Sequence, residues 1–326
     1  MSSSTIEYYT FVSQQIIIFF GIPILIAGVI GSVCNLVVFL SLKTFRENAC
    51  AFYLTVMTAV DLGQLVTGLL SRILISGFAV DWTISSVVYC KFRAYCFQFF
   101  ALTSYICMCL ASINQFLATC SNMFLQNLSN IKLAHRIVSA FVCLWLVHGI
   151  LYLVYYNLIP LESTEIVTCD SWNIAVRNYH AIGVTIIYGS VLPVSINSVF
   201  GFLAYRNIHQ FDRRTTPLAQ RELDKQLTLI IFIQFIYHLV STIPYLIVTI
   251  ISQIGIINVD PIREVQMQLA TSASLCIYYL NYAIPFYMYI IVSTRFRRQF
   301  LYVFFEIYAN KWRQRMPNGN QVIPEA

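Results

Sequence analysis

Asp61 is the one acid inside an apolar stretch that runs from Ala51 to Phe78. An ionised carboxylate at the centre of such a stretch costs about 2.5–3.5 kcal/mol or more unless it faces polar partners. Asn35, Ser104 and Asn281, each within another apolar stretch, are the candidates. Arg72 lies eleven residues beyond Asp61. At about 100° per helical residue it returns to within ~20° of the same face, ~16 Å further along. Two roles are open to it: anchoring a carboxylate or other acceptor of a ligand, or snorkelling outward and pairing with an acid such as Asp81. The five histidines (His135, His148, His180, His209 and His238) are scattered without metal-ligand spacing. No nucleophile and base converge, so the sequence offers no catalytic residue.

The elements that must position these groups are set by composition. Of 326 residues, 58% are hydrophobic and only 10% charged, and mean hydropathy is +0.71. Soluble domains carry about 25% charged residues, so the chain lacks the charge for an aqueous surface, and a nucleic-acid-binding domain is excluded on the same ground. Seven stretches reach the roughly 20 residues a helix needs to cross a bilayer. They run Ile16–Leu42, Ala51–Phe78, Val88–Ala118, Arg136–Ile159, His180–Tyr205, Gln226–Gly255 and Val265–Ser293. Five Lys and Arg (Arg72, Lys91, Arg93, Arg177, Arg263) fall on the side of the N-terminus and fifteen on the other. Basic segments stay cytoplasmic, so the N-terminus is expected outside.

Cys90 and Cys169 both fall on that outer side, where disulfides persist. The compartment argument favours their pairing, with Cys96, six residues deeper, as the competing partner of Cys169. After Arg295, Phe296, Phe300, Val303 or Phe304, and Ile307 recur at helical spacing with Arg297, Arg298 and Glu306 between them, the pattern of an interfacial helix on membrane lipid. The expectation is an all-α membrane protein: a tail over 1–15, a seven-helix bundle over 16–293, and an eighth, amphipathic helix with a cytoplasmic tail over 294–326.

Several motifs share an order and spacing: Gly31 followed by Asn35, Leu54 through Asp61, Trp82 before Cys90, Trp145, Pro193 and Pro244 in the fifth and sixth stretches, and Tyr289 before Arg295–Phe300. With these the chain resembles the rhodopsin-like (class A) G-protein-coupled receptors over nearly its whole length. The resemblance implies a plasma-membrane receptor that couples an extracellular ligand to a heterotrimeric G protein. It places Ser104 and Asn281 with Asp61 around an interior sodium ion. It also puts Phe97 where receptors for amines carry an aspartate, so a peptide ligand is expected. The implied ligand-pocket wall is Phe97, Gln98, Thr185, Tyr245 and Tyr279. Acidic loop residues Glu162, Glu165, Asp170, Asp260 and Glu264 on the same side would suit a cationic peptide, or are simply solvated.

The departures fall in the activation switch. The family's Asp-Arg-Tyr reads Asn114-Gln115-Phe116, its Cys-Trp-x-Pro reads Ser241-Thr242-Ile243-Pro244, and its Asn-Pro-x-x-Tyr becomes Pro285 through Tyr289. The fifth-helix tyrosine is Gly201. Asp224 resembles the acid that pairs with the missing arginine, and Gln115 can offer it only a neutral hydrogen bond. The alternative expectation is therefore a receptor-like protein with little G-protein activation; a transporter or channel is a remote third. Thr215 and Thr216 are the phosphorylation candidates in the third inner loop.

Overall fold

The computed structural model describes residues 2–160, 167–209, 218–253 and 261–308. Its long helices are α1 (Ser2–Ser41), α2 (Ala49–Gly77), α3 (Val87–Thr119), α4 (Ile131–Tyr155), α5 (Ile174–Ile208), α6 (Leu218–Gln253), α7 (Pro261–Ala283) and its continuation α8 (Pro285–Val292). Six are long and apolar enough to cross a membrane singly, and the α7–α8 pair makes a seventh span. A last helix, α9 (Thr294–Leu301), runs on through a wider π turn over Tyr302–Tyr308.

Loop residues with short polar side chains start these helices. Asn48 Oδ1 accepts from the Ala51 amide, Asn130 Oδ1 from Lys132, and Asn173 Oδ1 from Ala175, each at 2.9 Å, while Ser293 Oγ accepts from Phe296 at 3.0 Å. Each cap answers an orphan amide and contributes about 0.5–2 kcal/mol.

The core organises around α3, whose most apolar window is 72% buried against 22% for α4. α3 is thus the hub and α4 a peripheral helix. The outward faces carry Phe19, Phe20, Val147, Ile182 and Ile291 exposed, a surface suited to hydrocarbon and not to water. Between α4 and α5 a hairpin forms, β1 (Tyr156–Pro160) antiparallel to β2 (Val167–Ser171), with Leu158 opposite Cys169. The two ends of the bundle are named below by what they carry: the hairpin end and the tail end, where α9 lies.

Two elements depart from the sequence expectation. Residues expected as a tail over 1–15 are helical from Ser2, continuous with the first span. No Pro or Gly interrupts Ser2–Gln15, and the extra turns find partners on α7, where Ser13 Oγ and Ser272 Oγ share a buried 2.7 Å hydrogen bond. The seventh stretch, expected unbroken to Ser293, bends by 55° between α7 and α8. Pro285 supplies no amide to the preceding turn and sits at the first position of α8, where that loss costs least. Pro244 lies inside α6 without breaking it.

At the tail end α9 docks through its apolar face. Phe296 is buried and packs edge-on to Phe39 at 5.7 Å and Tyr289 at 5.6 Å, while Arg297 and Arg298 stay exposed. The amphipathic reading holds over residues 294–306, with Phe296 and Val303 buried; the side chain of Ile307 lies outside the described residues. The rest of the expected segment, to 326, lies outside the described residues.

Candidate functional site

Cys90 opens α3 and is bonded to Cys169 of β2, with Cα atoms 5.7 Å apart; Cys96 is free. The bond fastens the hairpin across the outer turn of α3. Asp170 and Arg177 add an ion pair at 3.1 Å, and Arg177 also donates to the Ser171 carbonyl at 3.0 Å. Burial pushes the Tyr156 phenol of β1 up from its usual range, helped by the neighbouring Asp170 carboxylate.

Between α3, α5, α6 and α7 lies a narrow, partly open pocket whose non-atom space, open solvent included, is about 460 Å³. Four residues expected on its wall are there: Phe97, Gln98, Thr185 and Tyr245. Two are not. Tyr279 turns away to the α1–α2–α7 core, its hydroxyl pressed against Gly68, where a Cβ would lie 2.4 Å from it. Arg72 does not line the cavity either. Tyr278 takes the wall position instead, stacked on Tyr245 at 4.7 Å. Gln98 Nε2 and Ser190 Oγ, both on the wall, are buried without hydrogen-bond partners. Buried polar groups are nearly always satisfied, so these two mark places where a bound molecule would complete the bonding.

The floor was missed by sequence reasoning. Tyr105, Tyr278 and Tyr282 close a ring of hydroxyls: 2.5 Å from Tyr105 to Tyr278, 2.7 Å from Tyr278 to Tyr282, and 2.9 Å from Tyr282 back to Tyr105. The ring ties α3 to α7. Beside it His238 packs on Tyr105 at 5.5 Å and pairs with Thr242 at 3.5 Å, so α6 joins the same layer. The four-residue spacing of Tyr278 and Tyr282 on one helix face was the available signal.

Next to Tyr105 on α3, Ser104 Oγ donates to Asp61 Oδ1 at 2.5 Å, and both are buried. Asn35 Oδ1 is also buried but without a partner. Asn281 interacts with His238, so of the expected cluster the structure joins Asp61 to Ser104 and directs Asn281 to α6.

Toward the tail end, neutral side chains link α3, α6 and the α7–α8 pair among the described residues. Gln115 Oε1 accepts from Thr228 at 3.5 Å, and Asn114 Oδ1 from Ser129 at 3.0 Å. The Tyr289 hydroxyl donates to Gln234 at 3.3 Å, and Ser293 to Gln226 at 2.7 Å. Phe116 packs on Phe200 at 5.5 Å. Asp224, the expected partner of Gln115, is on α6, but its side chain lies outside the described residues, as do Thr215, Thr216, Glu162, Glu165 and Asp260. Thr228, one turn along α6, meets Gln115. The glutamines of α6 were not singled out from sequence because an apolar helix tolerates isolated amides.

The profile described as 7 transmembrane receptor (rhodopsin family) matches residues 31–285. The chain belongs to the rhodopsin family of seven-transmembrane receptors. No curated protein matches it. In this receptor the covalent hairpin tether and the cavity below it lie toward one end of the bundle, and Asn114, Gln115 and Phe116 toward the other. The family is one of receptors, not of enzymes.

Proposed function

We propose that this receptor resides in the plasma membrane with its N-terminus and hairpin end extracellular, binds a peptide in the cavity beneath the hairpin, and signals through a heterotrimeric G protein at the tail end. The observation that carries this is the cavity itself. It combines an aromatic wall with two unpartnered buried polar groups, Gln98 and Ser190, above a hydroxyl ring that joins α3 to α7 beside α6. A ligand that engages Gln98 and presses on Tyr278 disturbs the ring, and His238 passes that change to α6. The orientation is supported by the excess of Lys and Arg on the tail-end side of the sequence.

Asp61, Ser104 and Asn35 offer fewer oxygens than the six or so a hard cation takes, because Asn281 is engaged by His238 and Pro285 stands where the family has an asparagine. The residues present do not by themselves complete a sodium site, and Asp61 acts here as a hydrogen-bonded node.

Cells expressing the full chain, read for calcium and cyclic AMP against a peptide library, test the reading. A hit whose potency falls at least about tenfold in Gln98→Ala is expected from loss of a buried hydrogen bond. Absence of any response, together with undiminished peptide binding in Gln98→Ala, would sink it. A second reading, binding without G-protein activation, is favoured by the neutral Gln115 lock; binding without either messenger would establish it.

A further inference from the structure

The α2–α3–α7 corner beside the cavity holds two arginines that no ion pair among the described residues compensates. α2, α3 and α7 meet where a Cβ on Gly68 would touch the Tyr279 hydroxyl at 2.4 Å and Phe97 at 3.2 Å. Arg72 follows Gly68 by four residues, and Arg93 precedes Phe97 by four. The two helices run in opposite directions, so both arginines stand one turn toward the hairpin end from that contact. They lie within electrostatic range of each other and of Tyr279. Arg93 is also within range of Tyr156, on the strand directly above.

Nothing among the described residues neutralises them. The ion pairs there join Lys43 to Glu47 and Arg177 to Asp170. Among the described residues, Asp81 is an acid that acts on Arg93, and it is the weakest of the influences on it. Its carboxylate already accepts from the Thr83 amide at 2.7 Å and hydroxyl at 2.5 Å. Arg93 Nε and the Tyr279 hydroxyl are both buried with no partner. Two like charges held together in a partly desolvated corner destabilise the empty receptor. A carboxylate between them would accept charge-assisted, fork-geometry bonds from both guanidiniums and a further bond from Tyr279.

We infer that Arg72 and Arg93 form an anion subsite that selects ligands bearing a carboxylate, with Arg93 as the specificity-determining residue that sequence reasoning treated only as a loop charge. This deepens the proposed ligand site and rests on the cavity being where ligand binds. A peptide presents such a group at its free C-terminus, and a fatty acid presents the same chemistry at its head.

Thermal unfolding of the purified full-length receptor in neutral detergent, at constant ionic strength, tests this with two matched pairs: N-acetylphenylalanine against its amide, and decanoate against decanamide. In wild type one acid should give half-maximal stabilisation at about a tenfold lower concentration than its amide, and the pair in which it does so names the source. Arg72→Gln/Arg93→Gln should erase that preference while leaving the empty receptor at least as stable. Arg93→Lys, which keeps the charge, should retain part of it.

No acid preference in wild type, including no stabilisation by any probe, overturns the assignment. So does a preference that survives the double variant, or one lost as completely in Arg93→Lys. The cavity reading is judged separately: Gln98→Ala should weaken acid and amide alike, and if neither changes, that reading fails while the acid-to-amide ratio still decides the arginines.

Discussion

At the hairpin end, α3 is tied to its surroundings by the Cys90–Cys169 bond, and midway along by three hydroxyls in a closed ring. At the tail end, among the described residues, the same helix meets α6 through a neutral hydrogen bond, Thr228 to Gln115, at 3.5 Å. The difference is one of energy as well as position. A closed network with every member satisfied resists piecemeal opening, whereas a neutral bond contributes about 0.5–1.5 kcal/mol and a charged one about 1.5–3 kcal/mol. On the proposed reading, such a receptor holds its ligand end firmly and its effector end loosely, the reverse of what a charged resting lock would give.

The comparison can be broken most forcefully at the covalent tether. Cys169→Ser should cost about 2–5 kcal/mol, seen as a lower unfolding temperature and reduced surface expression, with any basal second-messenger output per surface receptor unchanged. An equal loss of basal output would mean that the two ends are not separable. Next in size, Ser104→Ala removes the hydrogen bond to Asp61 and should cost about 1–3 kcal/mol, whereas Asp61→Asn in the same background should recover much of it, because the buried carboxyl that lost its donor is gone. Failure of that recovery in unfolding curves would show that Asp61 has a partner stronger than Ser104.

The ring predicts coupling more than absolute loss. A double-mutant cycle of Tyr105→Phe and Tyr282→Phe should give an interaction energy within about 0.5–3 kcal/mol, and strict additivity would reduce the ring to three independent tyrosines. Thr228→Val should have the smallest effect, at most about 1 kcal/mol on stability, and should raise basal output if the Gln115 contact restrains α6.

Much of this arrangement was legible in the sequence, for reasons that residues make plain. Apolar length alone located the spans, because a bilayer imposes a minimum that few other folds share. Cys90 and Cys169 paired as the compartment argument favoured, and Asp61 found Ser104. What escaped depends on helix phase and on ends. Tyr278 and Tyr279 differ by one residue, about 100° of rotation, and the choice between them turns on how α7 sits against α1 and α2, with the Tyr279 hydroxyl fitted against Gly68. The 55° bend before Pro285 and the π turns over Leu65–Leu69, Ile73–Gly77 and Tyr179–Val191 also disturb any regular count of faces. The start of α1 was misplaced because residues before Ile16 look polar enough for a tail, and only contact with α7 reveals what their helix packs on. Arg93 was read as one charge among those that set orientation; its neighbour Arg72 lies on another helix, a proximity no local pattern records.

The claim on which the rest turns is that the tail-end lock is neutral and weak because Gln115 replaces a charge. Basal calcium and cyclic AMP output, measured in cells matched for surface receptor, tests it through Gln115→Arg. The account predicts that restoring the cation changes basal output, lowering it as a charged contact with the acid of α6 forms. Output identical to wild type in both channels would contradict it.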